Sequence, residues 1–310
     1  MRVLSLFSGI GGLDAGFANA GFKIVWANDF DKYAVETYRA NYDNEIVLGD
    51  INEISLESLP AFDVLIGGFP CQPFSMMGAE LGFEDARGTL FFRIAEIIKY
   101  KIDRNEKPKV IVLENVKALK THDKGRTFKT IQKILEKDLG YIVFSDILNT
   151  ANFGIPQTRN RTYIVCFANS DAKFEFPKPV ELKSTLQDLL EAEVEEKYFL
   201  SEKILPTILS NGTGGYKAKS EIDLKIARPL CASMAKMHRA CQDNYVTQKG
   251  RVRKLTPREC ARLQGFEDSF VIPVSNAQAY KQFGNAVTVN VSEAVAIKVR
   301  EELKKLGEWK

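Results

Sequence analysis

The chain has 310 residues, 45% of them hydrophobic, with 43 Lys and Arg against 40 Asp and Glu, enough to bury a core in one large domain or two. With no charged-then-apolar leader and no run of 18 apolar residues, it reads as a soluble, cytoplasmic protein without a membrane span. Five cysteines without close pairs and only two histidines exclude a zinc-type cluster, a disulfide framework and histidine-based catalysis, leaving cysteine, carboxylate and arginine chemistry and no metal.

Charge is unevenly spread. Residues 217–258 carry eleven Lys and Arg against three acids, while 181–202 carry seven acids against two bases. A basic run on a nearly neutral body points to a polyanion partner, with a solvated charged face as the plainer reading. The acidic stretch reads as an exposed linker or helix.

Residues 1–167 alternate apolar strands with helical patterns, which predicts a doubly wound α/β sheet. The first strand spans 3–7, and Ser8-Gly9-Ile10-Gly11-Gly12 turns it into a helix running through Phe17 to Ala20. Those glycines let the backbone approach a ligand at the helix N-terminus. Asp14 stands where the dinucleotide fingerprint wants a small residue, which counts against a nicotinamide cofactor.

The second strand, 24–28, ends at Asp29, twenty residues after Gly9; an acid there can accept both hydroxyls of a ribose, or else cap the helix that begins near Lys32. The third, 46–48, ends in Gly49-Asp50-Ile51, where a second acid can hold an adenine amino group or a loop amide. Two acids at successive strand ends beside a glycine turn describe a nucleoside pocket.

The apolar run 63–68 closes in two glycines and leads to Phe69-Pro70-Cys71-Gln72-Pro73-Phe74-Ser75. Strand ends of this kind are where active sites lie, and prolines on both sides of Cys71 restrict the direction of its sulfur; a buried structural thiol is the alternative. The glycine-rich stretch 78–88 reads as a mobile lid, followed by a helix over 90–99. The aliphatic strand 109–113 delivers Glu114-Asn115-Val116 to the edge that holds Cys71. A carboxylate there is expected to have its pKa raised by burial, unless it serves a structural ion pair. A helix over 127–137 and a strand over 142–148 follow, and Gln157-Thr158-Arg159-Asn160-Arg161 enters a strand over 162–167 with both arginines on one face.

The sheet pattern stops near Ala168, and 170–250 shows no firm periodicity, so a second, small, loop-rich domain is expected there. Thr256 and Pro257 start a helix as N-cap and first helical residue. Gly284-Asn285-Ala286-Val287 precedes a last helix over 289–306.

Six of these segments, in this order, resemble the motifs of the C5 cytosine DNA methyltransferases: residues 7–12, 68–72, 114–116, 157–161, 258–266 and 284–287. The resemblance covers about 1–167 and 250–306. It implies a Rossmann-like S-adenosylmethionine-dependent methyltransferase sheet at 1–169, a target-recognition domain at 170–270, and a segment at 271–310 that returns to the catalytic domain. It implies methyl transfer from S-adenosylmethionine to carbon 5 of a flipped-out cytosine in double-stranded DNA, with S-adenosylhomocysteine as product.

On this resemblance Cys71 adds to carbon 6, making the ring an enamine-like nucleophile. Glu114 bonds N3 and the exocyclic amine, and Arg161, with Arg159, binds the cytosine carbonyl or its phosphate. Phe7 contacts adenine, Ile10 and Gly12 cradle the methionine part, Asp29 takes the ribose, Asp50 and Ile51 face the adenine, and Gly9 and Phe30 belong to the same cofactor-binding set. Pro70, Leu90, Asn285 and Val287 close the pocket. Gln72, Ser75 and Arg87 close over the base, and Lys217, Cys231, Ser233, Lys236 and Arg239 are the DNA-contacting candidates of the recognition segment. One departure is plain: where the family has a Thr-Leu type pair, this chain has Cys231-Ala232-Ser233. Two alternatives stay open, a transfer RNA cytosine methyltransferase and a non-catalytic DNA-binding module on the same fold; Cys71, Glu114 and Arg161 together argue against the second. The expected setting is a monomer in a restriction-modification system, with a cognate endonuclease acting separately.

Overall fold

The computed structural model describes residues 1–70, 90–211 and 218–309. In chain order its elements are β1 (Arg2–Leu6), α1 (Gly12–Asn19), β2 (Lys23–Asp29), α2 (Lys32–Arg39), β3 (Ile46–Leu48), β4 (Val64–Gly68), α3 (Leu90–Ile102), β5 (Val110–Val116), α4 (Arg126–Lys133), β6 (Ile142–Asn149) and β7 (Asn160–Phe167). Then come α5 (Leu205–Ile208), β8 (Tyr245–Gln248), β9 (Arg251–Lys254), α6 (Pro257–Leu263), α7 (Asn276–Asn285) and α8 (Val289–Lys305). Two compact units result: residues 1–148, 160–178 and 291–310 form the first, residues 149–159 and 179–290 the second.

Among the described residues the first unit holds a seven-stranded sheet in the order β3-β2-β1-β4-β5-β7-β6. Strands β1 to β5 are parallel, and β7 runs antiparallel to β5. The central strands carry unbroken aliphatic runs, Val64-Leu65-Ile66 and Val110-Ile111-Val112-Leu113, all 0% exposed. Such runs suit a parallel strand covered on both faces. The side chains alternate: Leu4, Leu6, Leu65, Ile111, Leu113, Ile164 and Cys166 join one cluster with Phe91, Ile94 and Ile98 of α3 and Ile131 of α4.

The sheet's order reverses direction at β1, because β2 and β3 lie to one side of it and β4 and β5 to the other. In an open parallel sheet a ligand crevice forms at that switch point, outside the strands' carboxyl ends. Leu6 pairs with Asn28 and Gly67, Asp29 with Leu48, and Gly68 with Glu114. One edge therefore gathers the glycine turn, Asp29, Leu48, Gly68 and Glu114. At the opposite flank of that turn, α1 packs on α8 so closely that a Cβ on Gly16 would lie 2.4 Å from Ser292 Oγ.

The second unit is built of short pieces. Leu200, Ile208, Ala240 and Tyr245 form a small core, and Phe266, Phe270 and Phe283 stack with centroids 4.3–6.3 Å apart. Strands β8 and β9 pair antiparallel. Helix α6 starts with Thr256 as N-cap in a reciprocal capping box with Glu259, and Pro257 as its first residue, satisfying two otherwise orphan donors.

Candidate active site

The glycine turn begins where β1 ends. Phe7, expected as the last strand residue, already has φ +54°, and Gly9 and Gly11 follow at +56° and +82°. A Cβ on Gly9 would meet nothing within 4 Å, whereas one on Gly11 would lie 2.4 Å from the Tyr42 ring. Gly9 thus presents an open backbone face, and Gly11 exists so that Tyr42 can close in.

Asp29 at the end of β2 is 7% exposed. Its Oδ2 accepts the Gly9 N–H at 2.8 Å and its Oδ1 the Asp31 N–H at 2.8 Å. Burial pushes this carboxyl's pKa up, opposed by those two N–H donors. The next residue, Phe30, is 74% exposed, an open aromatic ring on the same edge. Asn28 steadies the edge by donating to the Val47 carbonyl at 3.0 Å and the Gly49 carbonyl at 2.9 Å. Asp50 Oδ1 accepts the loop amide of Asn52 at 2.9 Å, and Ile51 beside it is buried. Ile10 and Gly12 are buried, Pro70 is exposed and Leu90 is half-buried at the start of α3. Asn285 and Val287 belong to the second unit, Asn285 exposed and Val287 half-buried.

These residues fit S-adenosylmethionine. An open backbone turn can admit a bulky group, a carboxylate beside it can accept ribose hydroxyls, and an exposed aromatic ring can offer a face to adenine.

Glu114 lies near the end of β5, 7% exposed, facing Gly68 across β4 and Tyr163 across β7. Arg161 pairs with Val116 in the same ladder, and its Nε lies 3.0 Å from Glu114 Oε1. Between them in sequence terms is a residue that motif reading left without a role. Asn115, 2% exposed, donates from Nδ2 to the Phe69 carbonyl at 2.8 Å and accepts the Val116 N–H at 2.8 Å. It ties β5 to the chain two residues before Cys71; its place inside the Glu-Asn-Val motif was the available signal. Cys71, Gln72, Ser75, Arg87 and Lys217 lie outside the described residues, as does the expected lid. Of the other thiols, Cys166 and Cys260 are fully buried, and burial pushes both well up, which makes them inert packing residues.

The shared face expected for Arg159 and Arg161 does not form. Strand β7 starts only at Asn160, and Arg159 belongs to the second unit. Its guanidinium, 2% exposed, donates to the carbonyls of Leu230 at 3.0 Å, Gly284 at 3.0 Å and Ala286 at 2.9 Å. Gln157 joins the same knot, donating to the Leu263 carbonyl at 2.7 Å and accepting the Leu230 N–H at 3.0 Å. A Cβ on Gly284 would lie 2.2 Å from Ala232 N; only glycine lets the two backbones approach. Three of the motif segments thus meet inside the second unit as backbone ties.

The basic run is less of an open patch than its composition implies. Glu221 pairs with Lys219 and Arg228, Glu193 with Lys249, Glu196 with Arg251 and Glu259 with Arg253. The acidic stretch is therefore partly spent neutralising the basic one. Ser233 and Lys236 are exposed, and Cys231 and Arg239 are half-buried. Among the described residues no ion pair involves Lys225 or Lys236, no group of His, Cys, Asp and Glu could hold a metal ion, and no helix is long and apolar enough to cross a membrane.

The family described as C-5 cytosine-specific DNA methylase matches residues 1–301. The chain is similar to type II methyltransferase M.NlaX of Neisseria lactamica, 42% identical over 323 residues covering 100% of this chain and 99% of that protein. It is 43% identical to type II methyltransferase M.HpaII of Haemophilus parainfluenzae over 329 residues, covering 97% and 89%. Among solved structures, S. pombe Dnmt2 methyltransferase superposes with a TM-score of 0.79 at 23% identity, covering 99% of each chain. The Entamoeba histolytica methyltransferase EhMeth does so with a TM-score of 0.78 at 21% identity, covering 99% and 98%. At those identities the two structures speak for the fold alone.

Proposed function

Because the chain belongs to the C-5 cytosine-specific DNA methylase family and is a DNA (cytosine-5-)-methyltransferase, we propose that Cys71, Glu114 and Arg161 carry its reaction. The Cys71 thiolate forms a bond to carbon 6 of a cytosine held outside the helix, because carbon 5 of the free ring is a poor nucleophile. Glu114, in protonated form, donates to N3 and accepts from the exocyclic amine, so its proton neutralises the negative charge that develops on the ring as sulfur adds. Arg161 holds the Glu114 carboxyl in place and offers its remaining N–H groups to the cytosine carbonyl. S-adenosylmethionine, bound by the turn at 7–12 with Asp29 and Phe30, supplies the electrophilic methyl group. Loss of the carbon 5 proton and then of the sulfur restores the aromatic ring.

The observation that carries this reading is the Glu114–Arg161 pair, 3.0 Å apart, beside the strand whose continuation is Phe69-Pro70-Cys71. Arg159 is given a different task from the one its motif position implied: with three carbonyls on its guanidinium, it organises backbone in the second unit and leaves the substrate to Arg161.

Residues 170–270 are read as the target-recognition part, with Lys236 and Ser233 among the groups that meet DNA. The type II names of the relatives support a restriction-modification setting, in which a monomeric methyltransferase and its cognate endonuclease act separately.

The deciding experiment uses duplex DNA carrying 5-fluorocytosine at the target. Fluorine cannot leave as a proton does, so the Cys71 adduct is trapped. A cofactor-dependent complex that survives denaturant, and is lost in Cys71→Ser, is the expected result. Absence of the adduct from the wild-type protein, on DNA that it methylates, would sink the mechanism.

A further inference from the structure

Beneath the glycine turn lies a carboxylate that the reaction does not use. Asp14 in α1 is 0% exposed. Its Oδ1 accepts the Ser5 hydroxyl at 2.7 Å and its Oδ2 the Tyr38 hydroxyl at 2.7 Å. Ser5 Oγ lies 2.8 Å from Ser8 Oγ, and Ser8 Oγ accepts the Asn28 N–H at 3.3 Å. On the other arm, Asn44 donates to the Tyr38 hydroxyl at 3.0 Å. Tyr42, with its ring centroid 4.5 Å from that of Tyr38, donates to the Gly11 carbonyl at 3.1 Å.

Among the described residues no Lys or Arg forms an ion pair with Asp14, and burial pushes its carboxyl up to about 6. A buried acid without a cation is costly to keep, and packing alone asks for an apolar residue here. What the charge provides is direction. An ionised carboxylate only accepts, so Ser5 must donate to Asp14, and the Ser8 hydroxyl donates back to Ser5, whose Oγ lies at 2.8 Å and whose carbonyl lies at 3.3 Å. Ser8 then keeps its lone pairs for the Asn28 N–H. One carboxylate thereby orients a chain of hydroxyls that ends on Ser8, the residue between Phe7 and Gly9.

We propose that Asp14 is a positioning residue for the cofactor turn: through Ser5 and Ser8 it holds residues 7–12 in the shape that offers the Gly9 face and the Asp29 carboxylate to S-adenosylmethionine. The proposal rests on the reading of that turn as the cofactor site. The rival is a network that stabilises the fold and nothing more.

The test measures S-adenosylhomocysteine affinity by calorimetry without DNA, together with thermal midpoints, for Asp14→Asn, Ser5→Ala, Tyr38→Phe and Asp29→Ala. Ser5→Ala is expected to weaken binding about tenfold; Asp14→Asn, which keeps an acceptor oxygen for Ser5 but not the charge that fixes the direction, is expected to weaken it by less, and the double variant no more than Ser5→Ala, since both act on one chain. Tyr38→Phe removes one hydroxyl from Asp14 but leaves the ring against Tyr42 and the Ser5–Ser8 chain in place, and is expected to lower the thermal midpoint while leaving affinity within about twofold. If Ser5→Ala and Asp14→Asn lower the midpoint but bind as the wild type does, while Asp29→Ala binds weakly, the proposal is overturned and the cofactor reading survives. If the wild type itself does not bind S-adenosylhomocysteine, the cofactor reading fails and takes this one with it. Should Asp14→Asn not fold, Ser5→Ala decides alone, because it removes only one hydroxyl.

Discussion

Asp29 Oδ2 takes the Gly9 N–H at 2.8 Å, so one carboxylate oxygen joins the end of β2 to the turn after β1. The other oxygen takes the Asp31 N–H. The residue proposed to meet a ribose is therefore also the staple that fixes the loop around it.

Asp29→Ala should accordingly cost more cofactor affinity than one ribose contact explains. A hydrogen bond to a charged group is worth about 1.5–3 kcal/mol, and here both the contact and the staple are lost. S-adenosylhomocysteine affinity measured without DNA is expected to fall well beyond tenfold, with site choice across a DNA library unchanged. Asp29→Asn should rescue little, because its amide nitrogen must face one of the two N–H donors.

Glu114→Gln retains the shape at the end of β5 but cannot exchange a proton, which for a positioned acid or base is typically worth about 10²–10⁴ in rate. Single-turnover methylation should slow by that order while DNA affinity holds. Arg161→Lys is expected to resemble Arg161→Ala, since an ammonium cannot reach Glu114 and the substrate carbonyl in one plane.

Much of the sheet was legible because its central strands are uninterrupted aliphatic runs, and residues 109–113 admit no other reading. What failed depended on groups distant in sequence or on backbone angles. Phe7 continues the apolar pattern but turns to positive φ, and Arg159 keeps the strand's alternation before the strand has begun. The β8–β9 hairpin was missed because its turn is Lys249-Gly250, both with positive φ, in place of the Asn-Gly pair that advertises this turn; its flanks are also largely polar. Helix α7 went unseen although Ser275 caps it. The basic run was counted without its partners, because Glu193 and Glu196 lie more than fifty residues before Lys249 and Arg251. In the sequence Asp14 shows only as a misfit to another fingerprint, since the hydroxyls that explain it come from β1 and α2.

The ion pairs of the second unit should differ sharply in worth. Arg253 and Glu259 are both 0% exposed, joined by bonds of 2.8 and 2.6 Å. Removing one partner strands a buried charge, which costs about 3–5 kcal/mol. Arg253→Met or Glu259→Gln is expected to lower the urea midpoint strongly. Glu193→Ala and Glu196→Ala, on the solvated pairs, should leave it nearly unmoved.

Lys236 is exposed in the segment proposed to recognise the target. If it meets a phosphate, Lys236→Ala should weaken all DNA sequences alike and lower the slope of log affinity against log salt by about one. Cofactor affinity should not change. A loss confined to one base position would instead make Lys236 a reader of sequence, and no effect at either salt would remove it from the interface.

The Asp14 carboxyl is raised from 3.8 to about 6 by burial, with Ser5 and Tyr38 opposing the rise and Asp29 adding to it. A pKa higher in the folded than in the unfolded chain means that the folded state binds the proton more tightly. The resulting stability is fully present below about pH 4 and is lost as pH rises through about 6. It is worth at most on the order of 3 kcal/mol. Asp14→Asn carries no such proton, so the thermal midpoint of the wild type minus that of Asp14→Asn should fall as pH is raised from about 4 to 7 and then level off. The other carboxylates titrate in both proteins and cancel in the difference. A difference that stays flat across this range would mean that the Asp14 carboxyl does not titrate there and that its burial does not raise it.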